Sequence, residues 1–274
     1  MKSINNYISE KLVINKDTGK KHYNYFPETK NELRNIIKQR IKEEGNECDL
    51  NDIDVSKIND MSYLFYGTNF NGDISNWDVS NVENMTYLFN ESEFNGDISN
   101  WNVSNVKIME SMFDSSKFNG DISNWDVSKV EDMNSMFFNS KFNGDISKWN
   151  VSSVTDMTTM FCNSNFNQDI SNWDVSSVIN MYEMFAHSKF NQDISNWNVS
   201  SVINMYGLFY YSVFNRNISK WNVYSATNLG YMFAYSKFNQ DISKWKINKN
   251  AYISDMFKNT NLEGKELEWF RRVK

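Results

Sequence analysis

A chain of 274 residues with one proline, two cysteines and two histidines is short of the residues that usually punctuate, cross-link or catalyse. Pro27 stands alone, so the turns must be made by Asn, Asp, Ser and Gly, which support backbone reversals in other ways. No apolar run reaches membrane-spanning length, and Met1 to Leu12 lack the apolar segment of a signal peptide. On these grounds alone the expectation is a cytoplasmic chain with no membrane insertion. The formal net charge is −6 but unevenly spread. Residues 1–45 carry ten Lys/Arg against six Asp/Glu, and the remainder eighteen against twenty-eight. An acidic remainder argues against nucleic acid as a partner, because phosphate binding needs a stripe of Lys and Arg.

What the chain has in quantity is aromatic residues, 16% of the total. Trp77, Trp101, Trp125, Trp149, Trp173, Trp197, Trp221, Trp245 and Trp269 recur every 24 residues without a slip, and they are all nine tryptophans of the chain. Self-similarity at this period is the signature of a repeat array, here eight full units and two partial ones. Other columns keep step. Phe70 recurs through Phe238, Ile74 through Ile242, Val79 through Val223, Met85 through Met205 and Phe89 through Phe257.

Two shorter periods are written inside each unit. Trp77 and Val79 flank one polar residue, which is strand alternation, and Val82, Met85, Leu88 and Phe89 share one face of a helical segment. Asn71-Gly72 reads as a tight turn. The expected fold class is α/β, a parallel solenoid with one short strand and one short helix per 24-residue repeat. No unit could bury its apolar side chains alone, so neighbours must stack and share a core. Cys48 and Cys162 then lie four to five units apart, on the order of 20 Å at the spacing of stacked strands, too far for a disulfide.

The I-x-x-W-x-V-x-x-V pattern of Ile74, Trp77, Val79 and Val82 resembles a leucine-rich repeat with Trp at a leucine position. The whole unit, from about Leu50 to Trp269, is similar to the BspA-like leucine-rich-repeat surface proteins of bacteria. That resemblance implies a parallel-stranded solenoid and a role in adhesion or protein recognition. It also implies a secreted or cell-surface location for members with export signals.

The ends read as caps, dividing the chain into residues 1–45, 46–261 and 262–274. In the first part, an α+β cap, Leu12-Val13-Ile14 and His22 to Phe26 suggest a hairpin around Asp17-Thr18-Gly19. Thr29 with Glu32 forms a capping-box pattern, and Leu33, Ile36, Ile37 and Ile41 predict an amphipathic helix that Gly45 ends. The last part is a partial repeat with a basic tail, Arg271, Arg272 and Lys274.

Little in the sequence points to chemistry. His22 and His187 have no Cys, Asp or Glu at metal-ligand spacing that the repeat does not explain, so no metal and no cofactor is expected. The serines recur in every unit, whereas a nucleophile would be singular and paired with a base. The Asp73 column, continuing through Asp193 and Asp241 with Asn217 as its exception, invites calcium, but also reads as carboxylates accepting turn hydrogen bonds. The expectation is a protein without enzymatic activity.

Function must then lie in what varies, and partner-binding residues are sought there. Beside Trp on the expected strand face lie Asn76, Asn100, Asn124, Lys148, Asn172 and Asn196, then Asp78, Asn102, Asp126, Asn150, Asp174 and Asn198. At off-core helical positions the late repeats carry Ile179, Ile203, Tyr182 and Tyr206 where early ones carry charged or small polar residues. Tyr210, Tyr211, Tyr224 and Tyr235 add to the excess. Tyrosine clusters either form interfaces or pack between repeats. The expected function is recognition of, or adhesion to, a protein or cell-surface glycan on the strand face or the late Tyr-rich flank. A self-assembling structural solenoid and an acidic inhibitor or mimic are the alternatives, and the oligomeric state is open.

Overall fold

A computed structural model describes residues 22–270. Among them are two helices, α1 (Lys30–Glu44) and the five-residue α2 (Lys265–Trp269), and no β-strand. The expected α/β solenoid, with a strand and a helix in every leucine-rich-repeat-like unit, is therefore not what this chain forms. Each 24-residue unit is instead built from turns. Isolated parallel bridges link adjacent units, running from Asp60–Asn84 to Asn228–Tyr252 and each joining residues 24 apart.

The turns explain why both short periods mislead. Trp77 N–H donates to the Ile74 carbonyl and Val82 N–H to that of Val79. I-x-x-W and V-x-x-V are thus two consecutive four-residue turns, and the Trp-x-Val alternation is merely their junction. The polar residues before each turn cap it: Asp73 Oδ1 accepts from Ser75 N–H and Asp78 Oδ1 from Ser80 N–H. These carboxylates meet the donor needs of backbone that has no ladder to join.

The stretch expected to be helical is another run of turns. Leu88, Asn90 and Ser92 donate to the carbonyls three residues back, while Met85, Tyr87, Phe89 and Glu91 donate to Ile108, Glu110, Met112 and Asp114 of the next unit. Tyr87 and Glu91 adopt left-handed conformations, with φ of 56° and 54°, and the same two positions do so in unit after unit. A right-handed helix cannot pass through such residues. The donors are spent between units rather than within one.

The core lies inside this stack. Trp77–Trp101, Trp149–Trp173, Trp173–Trp197 and Trp221–Trp245 lie ring over ring at 6.4–6.5 Å, within 7° of parallel. Each indole N–H reaches back to the preceding unit: Trp101 Nε1 donates to the Ile74 carbonyl at 3.1 Å and Trp125 to Ile98 at 3.1 Å. Two phenylalanine columns run alongside, at 5.7 Å for Phe89–Phe113 and 6.4 Å for Phe94–Phe118, and meet each other at 4.3 Å in Phe89–Phe94. The Asn71 column forms a polar ladder in which Asn71 Oδ1 accepts from Asn95 N–H, and Asn95 Oδ1 from Asn119 N–H. Cys48 and Cys162 are both free and buried.

One helix covers each end. Thr29 Oγ1 accepts from Glu32 N–H at the start of α1, and Gly45, at φ 92°, follows its end. Leu33 and Ile37 bury themselves in the core, while Arg40 reaches Asp52, Glu44 and the Asp49 carbonyl. Tyr25 forms a bridge to Ile53. The first arm of the expected hairpin and the basic tail lie outside the described residues. At the other end Trp269 leaves the indole column, sitting in α2 edge-on to Phe257 at 5.8 Å and 84°.

Candidate functional site

The two columns expected to line a strand face lie on turns. Asn76, Asn100, Asn124, Lys148, Asn172 and Asn196 are exposed, as are Asp78, Asn102, Asp126, Asn150, Asp174 and Asn198. The second column acts locally, since Asn102, Asp126, Asn150, Asp174 and Asn198 each accept from the backbone N–H two residues on. Hydrogen bonds from Ser128 hold Asp126 below the usual carboxylate range, and those from Ser176 do the same for Asp174. Alternation between Asp and Asn is thus tolerated because either oxygen caps the turn.

The late aromatic residues gather into one cluster. Tyr182 and Tyr206, both half-buried, stack at 5.3 Å and 5°, so each serves as packing surface for the other. Burial, then a hydrogen bond with Glu183, pushes the Tyr182 hydroxyl up to about 12. Tyr206 meets Tyr231 at 5.5 Å, and Tyr231 meets Tyr210 at 6.2 Å. Tyr210 in turn stands edge-on to Tyr211 at 4.7 Å and to Tyr235 at 5.8 Å.

Tyr211 is the most exposed ring of this group at 47%. Its two faces are nonetheless covered, by Tyr235 at 4.4 Å and 3° and by His187 at 5.0 Å and 8°. His187, Tyr211 and Tyr235 occupy one column, 24 residues apart, and all three are left-handed, with φ of 55°, 52° and 60°. Asn139, Asn163 and Asn259 hold the same column elsewhere, also at positive φ. Val213 is 43% exposed two residues beyond Tyr211, and Lys189 and Lys237 take its place, exposed, in the adjoining units. Reading the columns for composition found the tyrosines but missed His187 and Val213. The signal was positional, since His187, Tyr211 and Tyr235 share a left-handed column.

Ile179 and Ile203 are exposed, at 51% and 41%, and Tyr224 stands on a separate turn, 57% exposed. Tyr224 N–H donates to Asn222 Oδ1. No ring contact joins Tyr224 to the cluster among the described residues.

Among the described residues no group of three or more His, Cys, Asp or Glu side chains is placed to hold a metal ion. Burial pushes the Cys162 thiol up to about 12, away from the thiolate that a nucleophile needs. Asp97, Asp121 and Asp145 are held below the usual carboxylate range first by the N–H of Ser99, Ser123 and Ser147. Each uses its Oδ1 inside its own turn. No helix among the described residues is long and apolar enough to cross a membrane.

A family model described as "Mycoplasma protein of unknown function, DUF285" matches residues 31–141, 138–223 and 188–271. The chain belongs to this family. Neither the curated proteins nor the solved structures contain a match. The likeness to BspA-like leucine-rich-repeat surface proteins is corrected by this membership and by the absence of any strand among the described residues. The functions tied to that architecture fall with it. Recognition or adhesion on a solenoid strand face, assembly of such solenoids and mimicry along their acidic surface all lose the structure they required.

Proposed function

We propose that this DUF285 chain is a non-enzymatic protein whose partner is another protein, docking on the patch formed by Tyr211, Tyr235, His187 and Val213. The observation that carries the reading is the backbone beneath it. A bulky residue at positive φ costs on the order of 1 kcal/mol or more, a cost that Asn or Gly largely avoids. Asn, Ser and Glu occupy this column in other units, yet tyrosine stands at two positions, Tyr211 exposed and Tyr235 half-buried. Strain of this kind is kept where side-chain contact repays it.

The chemistry of the patch favours a protein over a glycan. Both faces of Tyr211 are already stacked, so its outward edge and hydroxyl, not a flat ring face, meet a ligand. Edges and hydroxyls beside Val213 suit an apolar side chain with polar neighbours. Lys189 and Lys237 place positive charge around that centre, so the partner should present carboxylates around an apolar anchor.

The test is affinity capture from cells that make the protein, comparing the intact chain with a Tyr211→Asn/Tyr235→Asn variant. Asn is native to this column, so the variant should melt at an unchanged temperature while losing the captured protein. Capture of the same protein in the same amount by both forms would overturn the proposal.

A further inference from the structure

A second feature lies on turns that the aromatic cluster does not use. Two adjoining depressions, of about 390 and 230 Å³, share Asn217. The larger is lined by Asp193, Ser195, Arg216, Asn217 and Lys220. The smaller adds Ser219, Gln240, Asp241 and Lys244. Three column changes coincide there.

Arg216 stands where Gly72, Gly96, Gly120 and Gly144 occur in earlier units and where Gln192 and Gln240 flank it. Lys220 and Lys244 replace the Asn of Asn172 and Asn196 in consecutive units. Asn217 is the only interruption of a column that is otherwise Asp in each unit from Asp73 to Asp241. Its Oδ1 caps the turn, accepting from Ser219 N–H at 3.0 Å as the aspartates do. The substitution therefore leaves the turn intact while replacing a carboxylate with an amide.

Charge has been removed where cations converge. Arg216 is also held in place, its Nε donating to the Asn191 carbonyl at 2.7 Å, which orients the guanidinium. A guanidinium fork, an ammonium group and an amide donor, as the larger depression combines them, are the elements that recognise tetrahedral oxyanions. Asp193 and Asp241 stay ionised, each accepting the N–H of the serine two residues on, at 2.9 and 2.8 Å, so Asp241 balances Lys244 in the smaller depression while Arg216 and Lys220 outnumber Asp193 in the larger. Arg216 and Lys220 further hold Asp193 below the usual carboxylate range, after the bonds from Ser195.

We infer that the larger depression is an anion site, taking a phosphate- or sulfate-type group beside Arg216, Lys220 and the Asn217 amide. The inference stands independently of the aromatic patch, because no residue is shared. Such a group could belong to a free phosphate compound or to a sulfated saccharide.

Calorimetric titration at low ionic strength with inorganic pyrophosphate and with a sulfated hexasaccharide tests it, using the intact chain, Asn217→Asp and Arg216→Gln. Each variant restores the residue of the neighbouring units, so the fold is retained, as an unchanged melting temperature would verify. The intact chain should bind at least one probe, and both variants should weaken that binding by about tenfold. Tighter binding of pyrophosphate identifies the phosphate source and tighter binding of the hexasaccharide the sulfated one. Binding of neither probe, or equal affinity across the three proteins, would overturn the site.

Discussion

At the scale of single residues, the turns hold because many backbone N–H groups find acceptors in turn carbonyls, capping side chains or the adjoining unit. Side-chain oxygens of Asp73, Asp78 and Asn71 accept from backbone, and left-handed residues such as Tyr87 and Glu91 turn the chain so that other donors face the next unit. Proline would remove one of these donors, which accounts for its near absence. Glycine matters at one position more than at its equivalents. A Cβ at Gly72 would run into the backbone carbonyl of Cys48, whereas at Gly144 the closest atoms belong to the Phe142 ring, at 2.9 Å. Gln168 already fills the Gly144 column one unit later. Gly72→Ala should therefore cost about 1–3 kcal/mol and Gly144→Gln about 0.5 kcal/mol or less, measured by urea unfolding.

At the scale of the unit, the stability of each turn set resides in its neighbours. Trp125 is 3% exposed, and its N–H satisfies the Ile98 carbonyl of the preceding unit. Trp125→Ala opens a cavity and removes one of the two hydrogen bonds that the Ile98 carbonyl accepts, the other coming from Trp101 N–H, a loss of roughly 3–5 kcal/mol, readable as a fall in the denaturation midpoint. The 24-residue step was legible because identical side chains must lie above one another to stack. The internal structure was not. Turns with corners three residues apart imitate the spacing of a helix face, and two turns joined at Trp77-Asp78-Val79 imitate a strand. The deciding fact, positive φ at Tyr87, Ser111, Ser135 and Thr159, is hidden by residue types that rarely adopt it. The candidate site was half legible for the same reason. For Tyr182 and Tyr206 the residue types left an interface and packing between repeats both open, and the two rings stack on each other, while His187 entered the patch through a column whose geometry composition does not reveal.

At the scale of the whole molecule, carboxylates set the response to acid. Asp73, Asp97, Asp121, Asp145, Asp193 and Asp241 are held below the usual carboxylate range by their turn bonds, although burial works against this at Asp73. Their contribution is fully present above the unfolded value of about 3.9. It is lost as pH falls through the depressed folded values. Burial raises Glu110, Asp114 and Asp132, so these three favour folding more once protonated and partly offset the loss. The aspartate column is the larger set. The melting temperature should fall steeply below about pH 4, and Asp121→Asn, with the residue native at position 217, should flatten that fall. A protein that melts at one temperature from neutrality to about pH 3 would contradict this account.

The regular bridging of residues 24 apart has a genetic consequence. Residues 70–77, 94–101 and 118–125 carry the same eight-residue stretch, F-N-G-D-I-S-N-W. Misaligned recombination between such stretches inserts or deletes one complete period in frame. The Trp and Phe columns at the new joint would stack as they do now, so the number of units can change while the helices at the two extremities stay as they are.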